Sequence, residues 1–334
     1  MDDGRVLTGV LRNENGMLYL GDEKGNSTRI PRDEIQSLKV ATTSIMPKGL
    51  LEKLSPDQVR DLMTYLLTPP PKMPLHSPLK APPLRSQKEV DEVLAGSKEL
   101  ATPFKRLTIC LIAGDKDHGP GEHDYPAWQQ AWRALLDAAP EVDVELAWGF
   151  PSDDQLDRAK LLVFFQKGTW NAERANKMDR YFAKGGGATY IHWAVNGEDQ
   201  VQEMSNRIGL ASRGGAIKFR HGPLTLDLHH TDHPILRNMK DHLELYDESY
   251  WLLTGAPDRI TLLASSLEEG EARPQVWTYD RGQGRVFGCI PGHYSWTFDD
   301  PLFRILLLRG MAWSANEPID RFNELVPLGA RMQR

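Results

Sequence analysis

His123, His192 and His293 each follow, or close, an apolar run that reads as a β-strand. The segments are RLTICLIAGDKDHGPGEHDYP, GGGATYIHWAVNG and GRVFGCIPGHYSWTFDDP. In an open parallel sheet the carboxyl ends of the strands converge on one crevice, so side chains far apart in the chain meet there. Imidazole ligates zinc, nickel and iron, and a catalytic metal commonly takes three protein ligands and keeps one position open for water or substrate. These histidines therefore suggest a metal centre or an acid/base site. Intervals this long are not a local ligand motif, and ordinary structural or surface histidines are the competing reading.

Other residues could join them. His118 and Glu122 share the loop of His123. The run DLHHTDHPIL carries His229, His230, Asp232 and His233, with Asp232 and His233 the better candidates; polar residues before His-Pro otherwise serve as turn caps. In ELYDESYW, strand alternation sends Asp247 and Glu248 to opposite faces, so only one of them points into a given pocket, as a ligand or general base. Tyr125, Trp193, Tyr294 and Trp296 flank the histidines and either stack on the apolar faces of a sugar or pack in the core. The expected assignment is His192, Glu248 and Asp232 as catalytic groups, and His123, His192 and His293 as metal ligands. Substrate contacts are expected from His118, Tyr125, Trp193, Tyr294 and Trp296. GGGATYI lacks the Lys-Ser/Thr pair of a phosphate loop, no Gly-x-Gly-x-x-Gly follows the first strand of the pattern, and no Gly-x-Ser-x-Gly elbow occurs.

The elements that must position these residues follow from periodicity. RLTICLIA, a Gly-rich turn, a helix opened by Pro126 and VDVELAW make a βαβ unit. LLVFF, a helix over 171–184, the stop signal Gly185-Gly186-Gly187 and ATYIHWA make a second, which implies a parallel sheet covered on both faces. LTLDL, LYDESYWLL, ITLLAS, QVWTY and GRVFGCI have short links and add antiparallel pairs; a last helix starts at Asp300-Pro301. The expected fold is α/β, a flavodoxin-like parallel sheet with antiparallel additions. Ahead of it, residues 1–68 alternate around Asn-Gly and Gly-Asn turns as a small β-meander, then a helix capped by Ser55, with Pro56 at its first position and Gln58 closing a capping box. Its apolar face is Val59, Leu62, Met63 and Leu66. The Pro-rich stretch 69–86 reads as a semi-rigid linker, and 87–334 as the main domain.

With 334 residues and a net charge of −6, the chain has room for a large domain and an appendage, and no basic stripe for nucleic acid. No apolar run reaches membrane-spanning length and the first residues have no signal-peptide character, so the chain is expected to be soluble. Cys110 and Cys289 are its only cysteines, and both fall inside strands, which excludes a disulfide framework and favours inert core thiols.

HGPGEHDYP, LLVFF, GGGATYIHWA, TDHPIL, ELYDESYW and GRVFGCIPGHYSWTFDDPLFRILLLRGMAW, in that order, resemble the trehalose-utilisation, or ThuA-like, family, whose fold is that of class I glutamine amidotransferases. The resemblance covers the chain from about Phe104 onward. It implies handling of sugars, in particular oxidised keto-sugars in glycoside breakdown, in a histidine-rich pocket that can take a divalent metal. By that resemblance His123, His192 and His293 match the family's recurrent histidines and Glu248 its acidic residue. An amidotransferase needs a cysteine on the turn after ATYIHWA; His192 stands near it, so glutamine hydrolysis is not expected. Separately, DGRVLTGVL, IPRDEIQSL and SIMPKGLLEKLSPDQVRDLMTYL resemble the tail of a haem-binding domain of large planctomycete and verrucomicrobial proteins. There Met46 would match the distal ligand, but no Cys-x-x-Cys-His is present and no haem is expected. A longer exported protein containing this chain would place it in the periplasm.

The leading expectation is a metal-assisted carbohydrate hydrolase, lyase or isomerase using zinc, nickel or manganese, with a small carbohydrate as partner, no nucleic acid and no membrane insertion. A homo-oligomer is left open. The alternatives are a non-catalytic sugar-binding module and, more weakly, an electron-transfer fragment.

Overall fold

A computed structural model describes residues 5–14, 17–22, 26–31, 34–39, 49, 51–52, 54–67, 81–97, 104–229 and 232–333. The chain divides into two compact units, Met1–Lys72 and Met73–Arg334. In the first, β1 (Val10–Glu14), β2 (Met17–Gly21) and β3 (Ser27–Ile30) form the expected antiparallel meander. Helix α1 (Pro56–Leu67) begins with the reciprocal cap read from sequence: Gln58 N–H donates to Ser55 Oγ at 3.3 Å, and Ser55 N–H to Gln58 Oε1 at 2.9 Å. Val59 and Leu62 are half-buried and Met63 is exposed. Leu66 (side chain), Met46 and most of the Pro-rich stretch lie outside the described residues.

The second unit opens inside the stretch read as linker. Residues Arg85 and Ser86 form β4, and Arg85 pairs with Asp300 at 2.8 Å. The domain therefore begins before residue 87. Ser86 caps α2 (Gln87–Leu94) with Glu89 completing the box. Then come β5 (Leu107–Ala113), α3 (Tyr125–Leu136), β6 (Val142–Trp148), α4 (Asp153–Arg158), β7 (Leu161–Phe165), α5 (Ala172–Ala183) and β8 (Gly187–Ile191). These strands pair in parallel in the order β8-β7-β5-β6. Because β5 sits between β6 and β7, the strand order reverses there, which opens a crevice at the carboxyl ends.

After α6 (Val201–Ile208) and β9 (Leu210–Ala211) the chain adds β10 (Lys218–Leu228), β11 (His242–Trp251), β12 (Thr254–Gly255), β13 (Thr261–Glu268), β14 (Glu271–Arg281) and β15 (Gly284–Cys289). β15 joins β8 in parallel, and β14, β13, β10 and β11 continue antiparallel to a nine-stranded sheet; β9 pairs β12 separately. α7 (Ser295–Asp299), α8 (Pro301–Ser314) and β16 (Met332–Gln333), which pairs β4, complete the unit. β10 is longer than LTLDL because its first half, through Gly222 and Pro223, pairs β11 without needing an apolar alternation of its own.

Both faces of the sheet are covered, as parallel strands buried on both sides require. One core holds Leu111, Val163, Phe287, Trp132 and Leu307; the other holds Ile112, Phe164, Tyr190, Met178 and Met204. At Gly187 a Cβ would lie 2.0 Å from the Ser314 carbonyl oxygen, so the glycine that ends the helix stop signal also lets α8 lie directly on β8. Among the described residues no helix is long and apolar enough to cross a membrane. Burial pushes the Cys110 thiol up to about 12 and that of Cys289 well above its ordinary value. Neither cysteine should react with a thiol reagent at pH 8 in the folded protein, and both should react after denaturation; fast labelling of the native chain would contradict this burial.

Candidate metal centre

The loop after β5, the turn after β8 and the loop after β15 meet at the carboxyl end of the sheet. The first and third are zipped together by main-chain bonds: His123 N–H donates to the His293 carbonyl at 3.0 Å and Ser295 N–H to that of Gly121 at 2.9 Å. His192 is the first residue after β8, with φ +55°, and His123 has φ +41°. A left-handed backbone at a non-glycine residue costs about 1 kcal/mol or more, and such positions concentrate where side-chain placement serves function. Gly292, at φ +140°, is boxed in: a Cβ there would lie 2.9 Å from Ile191.

The three imidazoles are fully buried and share one point. His123 Nε2 lies 2.7 Å from His192 Nε2; His293 Nδ1 lies 3.0 Å from the former and 3.3 Å from the latter. Glu248 Oε2 joins them, 2.9 Å from His293 Nδ1 and 3.2 Å from His192 Nε2. Tyr250 donates to Glu248 Oε2 at 3.2 Å and sits 2.9 Å from His192 Nε2.

The outer nitrogens decide the tautomers. A carbonyl and a carboxylate only accept, so His192 Nδ1–H donates to Ile290 O at 2.7 Å and His123 Nδ1–H to Asp117 Oδ1 at 2.8 Å. Both Nε2 atoms then carry lone pairs aimed at each other across 2.7 Å. A proton between them would create a buried imidazolium, and burial together with the neighbouring His192 and His293 pushes His123 far below the ordinary imidazole range. Burial opposes charge on Glu248 as well, but without an ion His293 Nδ1–H is free to donate to it at 2.9 Å, and the neighbouring imidazoles hold its carboxyl well below the usual range. Four ligand atoms with bonds near 2.0–2.1 Å stand about 3.3 Å apart around a tetrahedral ion, close to the spacings here. The residues fit a divalent metal, with Asp117 and Ile290 as the outer partners that orient imidazole ligands.

The other expected residues divide. Tyr125 is buried, with its hydroxyl 2.9 Å from His123 Nδ1, and the His118 ring lies tilted with its centre 3.8 Å from that of His123 at the exposed side. Tyr294 is buried, stacks on Trp296 at 4.4 Å and meets His221; Trp296 donates to the Tyr246 carbonyl. Trp193 packs edge-on against Tyr250 at 5.5 Å, one layer from the histidine cluster. Asp232 lies exposed in the turn before the short helix Pro234–Leu236 and is not among the described residues whose ligand atoms cluster. His233 caps that helix at Ile235 N–H, 3.3 Å, and His229 bonds Ser265. The turn-capping alternative thus describes this loop; His230 lies outside the described residues.

His221, Tyr250 and Asp117 escaped the sequence reading. Asp247 and Glu248 are both buried and do point opposite ways: Glu248 enters the cluster, while Asp247 Oδ1 accepts from the N–H groups of Glu248, Gly292 and His293 at 2.7, 3.0 and 2.9 Å, and Oδ2 from the Thr297 hydroxyl. His221 stands directly across from Glu248 in the β10–β11 ladder, with Nε2 3.4 Å from Glu248 Oε1.

Residues 115–314, well over half of the chain, match the ThuA family, described as trehalose utilisation. The chain belongs to the ThuA family. Solved structures agree in fold: a ThuA-like protein from Parabacteroides merdae ATCC 43184 is 21% identical with a TM-score of 0.52, covering 64% of this chain and 92% of its own. A ThuA-like protein from Bacteroides uniformis ATCC 8492 is 13% identical with a TM-score of 0.53, over 66% and 99%. No curated protein matches the chain. In this ThuA domain the sharp turn after β8 holds His192; Cys110 lies within β5, and Cys289 ends β15, buried beside Ile191 rather than on that turn.

Proposed function

We propose that the ThuA domain is a metal-dependent enzyme of carbohydrate breakdown, a hydrolase, lyase or isomerase acting on keto-sugars or their glycosides. The observation that carries the metal is the pair of facing Nε2 lone pairs at 2.7 Å beside a buried carboxylate; family membership supports the sugar. His123, His192 and His293 would hold the ion, with Glu248 Oε2 as fourth ligand. The chemistry a bound divalent ion supplies is polarisation of a carbonyl or acidification of water.

A carboxylate held this far below the usual range keeps its charge and is a weak proton acceptor, so Glu248 suits ligation and electrostatic support better than general base catalysis. His221 suits proton transfer better. It is half-exposed, its Nδ1 is 3.0 Å from the Tyr294 hydroxyl, and burial keeps its imidazole below the ordinary range, so it is neutral and able to accept a proton. Tyr250, whose phenol burial pushes well above the ordinary value, stays protonated and donates. His118 and Trp296 are placed to contact sugar hydroxyls and faces. Elemental analysis of native protein and incubation with methyl and phenyl 3-keto-glucosides test the proposal. One equivalent of zinc, nickel or manganese and chelator-sensitive turnover are expected; a metal-free protein with no turnover would refute it.

A further inference from the structure

β11 is the edge strand of the nine-stranded sheet, and its register with β10 sets Phe219 opposite Tyr250, His221 opposite Glu248, Pro223 opposite Tyr246 and Thr225 opposite Glu244. Opposed residues share a face, as do alternate residues along each strand. One face of this ribbon therefore runs from Glu248 and Tyr250, buried at the histidine cluster, to Phe219 in one direction and to Tyr246, Thr225 and Glu244 in the other. Past the buried pair it opens to solvent: Phe219 is 58% exposed, Pro223, Thr225 and Glu244 are exposed, and Tyr246 is half-buried.

Rings follow one another along this face. Phe219 meets His221 edge to face at 5.8 Å, His221 meets Tyr294 at 6.0 Å, Tyr294 stacks on Trp296 at 4.4 Å, and Trp296 meets Tyr246 at 6.4 Å. His221, the group placed to accept a proton, thus stands between an exposed ring and a half-buried aromatic pair. An apolar side chain exposed alone is ordinary, but Phe219 makes its one ring contact among the described residues with His221, which itself touches Glu248. The face is also mixed in character: the Thr225 hydroxyl donates to Glu244 Oε2 at 2.8 Å, and both lie beside the rings. Flat apolar faces interleaved with hydrogen-bonding groups suit a ligand built the same way, with C–H faces edged by hydroxyls, whereas the core of a protein interface is depleted of charge. From Phe219 to Pro223, opposite Tyr246, the strand advances about 13 Å, which exceeds one sugar ring.

We propose that this face carries sugar units beyond the reacting one, with Phe219 as the stacking platform on one side of His221 and Trp296 with Tyr246 on the other. The substrate is then an oligosaccharide, whose reacting unit lies at His221 and the histidine cluster. The choice of a saccharide rests on the sugar-processing function; the continuity of the face with the cluster does not. Phe219 and Tyr246 become specificity-determining residues, because they touch units that take no part in the chemistry.

Cellobiose, whose β-linked glucose rings present flat C–H faces, is the probe, titrated by calorimetry into the full chain and into Phe219→Ala and Phe219→Trp. Saturable binding tighter than that of glucose is expected, weakened about tenfold in Phe219→Ala and kept within about twofold in Phe219→Trp. Metal content and Tm should stay at the wild-type values, since the side chain is exposed. With substrates, Phe219→Ala should raise KM about ten times more for the 3-keto derivative of cellobiose than for methyl 3-keto-glucoside. Cellobiose binding that is absent, no tighter than glucose, or equal in wild type and Phe219→Ala would overturn the platform. So would a wild-type dimer that Phe219→Ala turns into monomers without any effect on sugar, which would assign the face to a second copy of the chain. Cellobiose binding that depends on Phe219 in a protein that turns over no keto-glycoside would keep the platform and remove the enzymatic reading.

Discussion

Replacing His192 with alanine is expected to abolish metal binding while leaving the domain folded. Beyond the four cluster residues, the His192 side chain meets the Ile290 carbonyl and the Tyr250 hydroxyl, both held in place by their own elements, so the fold should survive its loss. Losing a direct ligand should weaken metal affinity by more than the 10–100-fold typical of losing an outer partner. Charge stabilisation by a bound ion contributes several kcal/mol, so keto-glycoside turnover should fall about 1,000-fold. Metal at 100 times its dissociation constant stabilises the native state by about 2.7 kcal/mol, roughly 5–10 °C in Tm for a domain of this size. Chelator should lower the wild-type Tm by that amount and leave His192→Ala unmoved. Because the backbone here is left-handed, His192→Gly should be more stable than His192→Ala by about 1 kcal/mol. A variant that still retains an equivalent of metal would exclude His192 from the ligand set.

Asp247→Ala should do the opposite, costing the fold heavily. Its carboxylate is fully buried and accepts from three main-chain N–H groups and a hydroxyl, two of them on the loop that carries His293. Hydrogen bonds to a charged acceptor contribute about 1.5–3 kcal/mol each, and buried donors stripped of their acceptor are penalised further, so a loss of about 4 kcal/mol or more is expected. Asp247→Asn keeps one oxygen for the N–H groups, and the Thr297 hydroxyl can turn to accept from the new amide. It should therefore recover most of the stability and keep metal stoichiometry, with weaker affinity. Urea unfolding and metal titration of the two variants separate these effects; equal stability of Asp247→Ala and wild type would show that the loop is held by something else.

The parts of this site that could be read from sequence are those that depend on order along the chain. Strand patterns place residues at carboxyl ends, and a parallel sheet brings His123 and His192 together; His293 joins them because β15, antiparallel to β14, also pairs β8 in parallel. Alternation leaves Asp247 and Glu248 as alternatives, and the family resemblance is what singles out Glu248. Tyr250 follows from the same alternation, two residues on, and was accessible in principle. His221 was not, because its place opposite Glu248 is a matter of antiparallel register between β10 and β11, set by main-chain pairing through Gly222 and Pro223 rather than by any local pattern. Asp232 shows the reverse error: a dense polar run attracts attention, but in this chain the density serves a turn before Pro234. The docking of Arg85 and Ser86 was hidden for a related reason, since a proline-rich approach conceals a two-residue strand whose partner is at the far end of the chain.

The cluster joins residues 69, 101 and 170 positions apart. In a zinc finger, by contrast, closely spaced ligands make metal capture and folding a single event. Here the pairing of β8 with β15 and the zipping of two distant loops must precede the first complete set of ligands, and contacts of such separation form late. Loading is therefore a step in time after folding, into a finished receptacle, and which ion enters is decided by what the surroundings offer at that moment as much as by the ligands themselves.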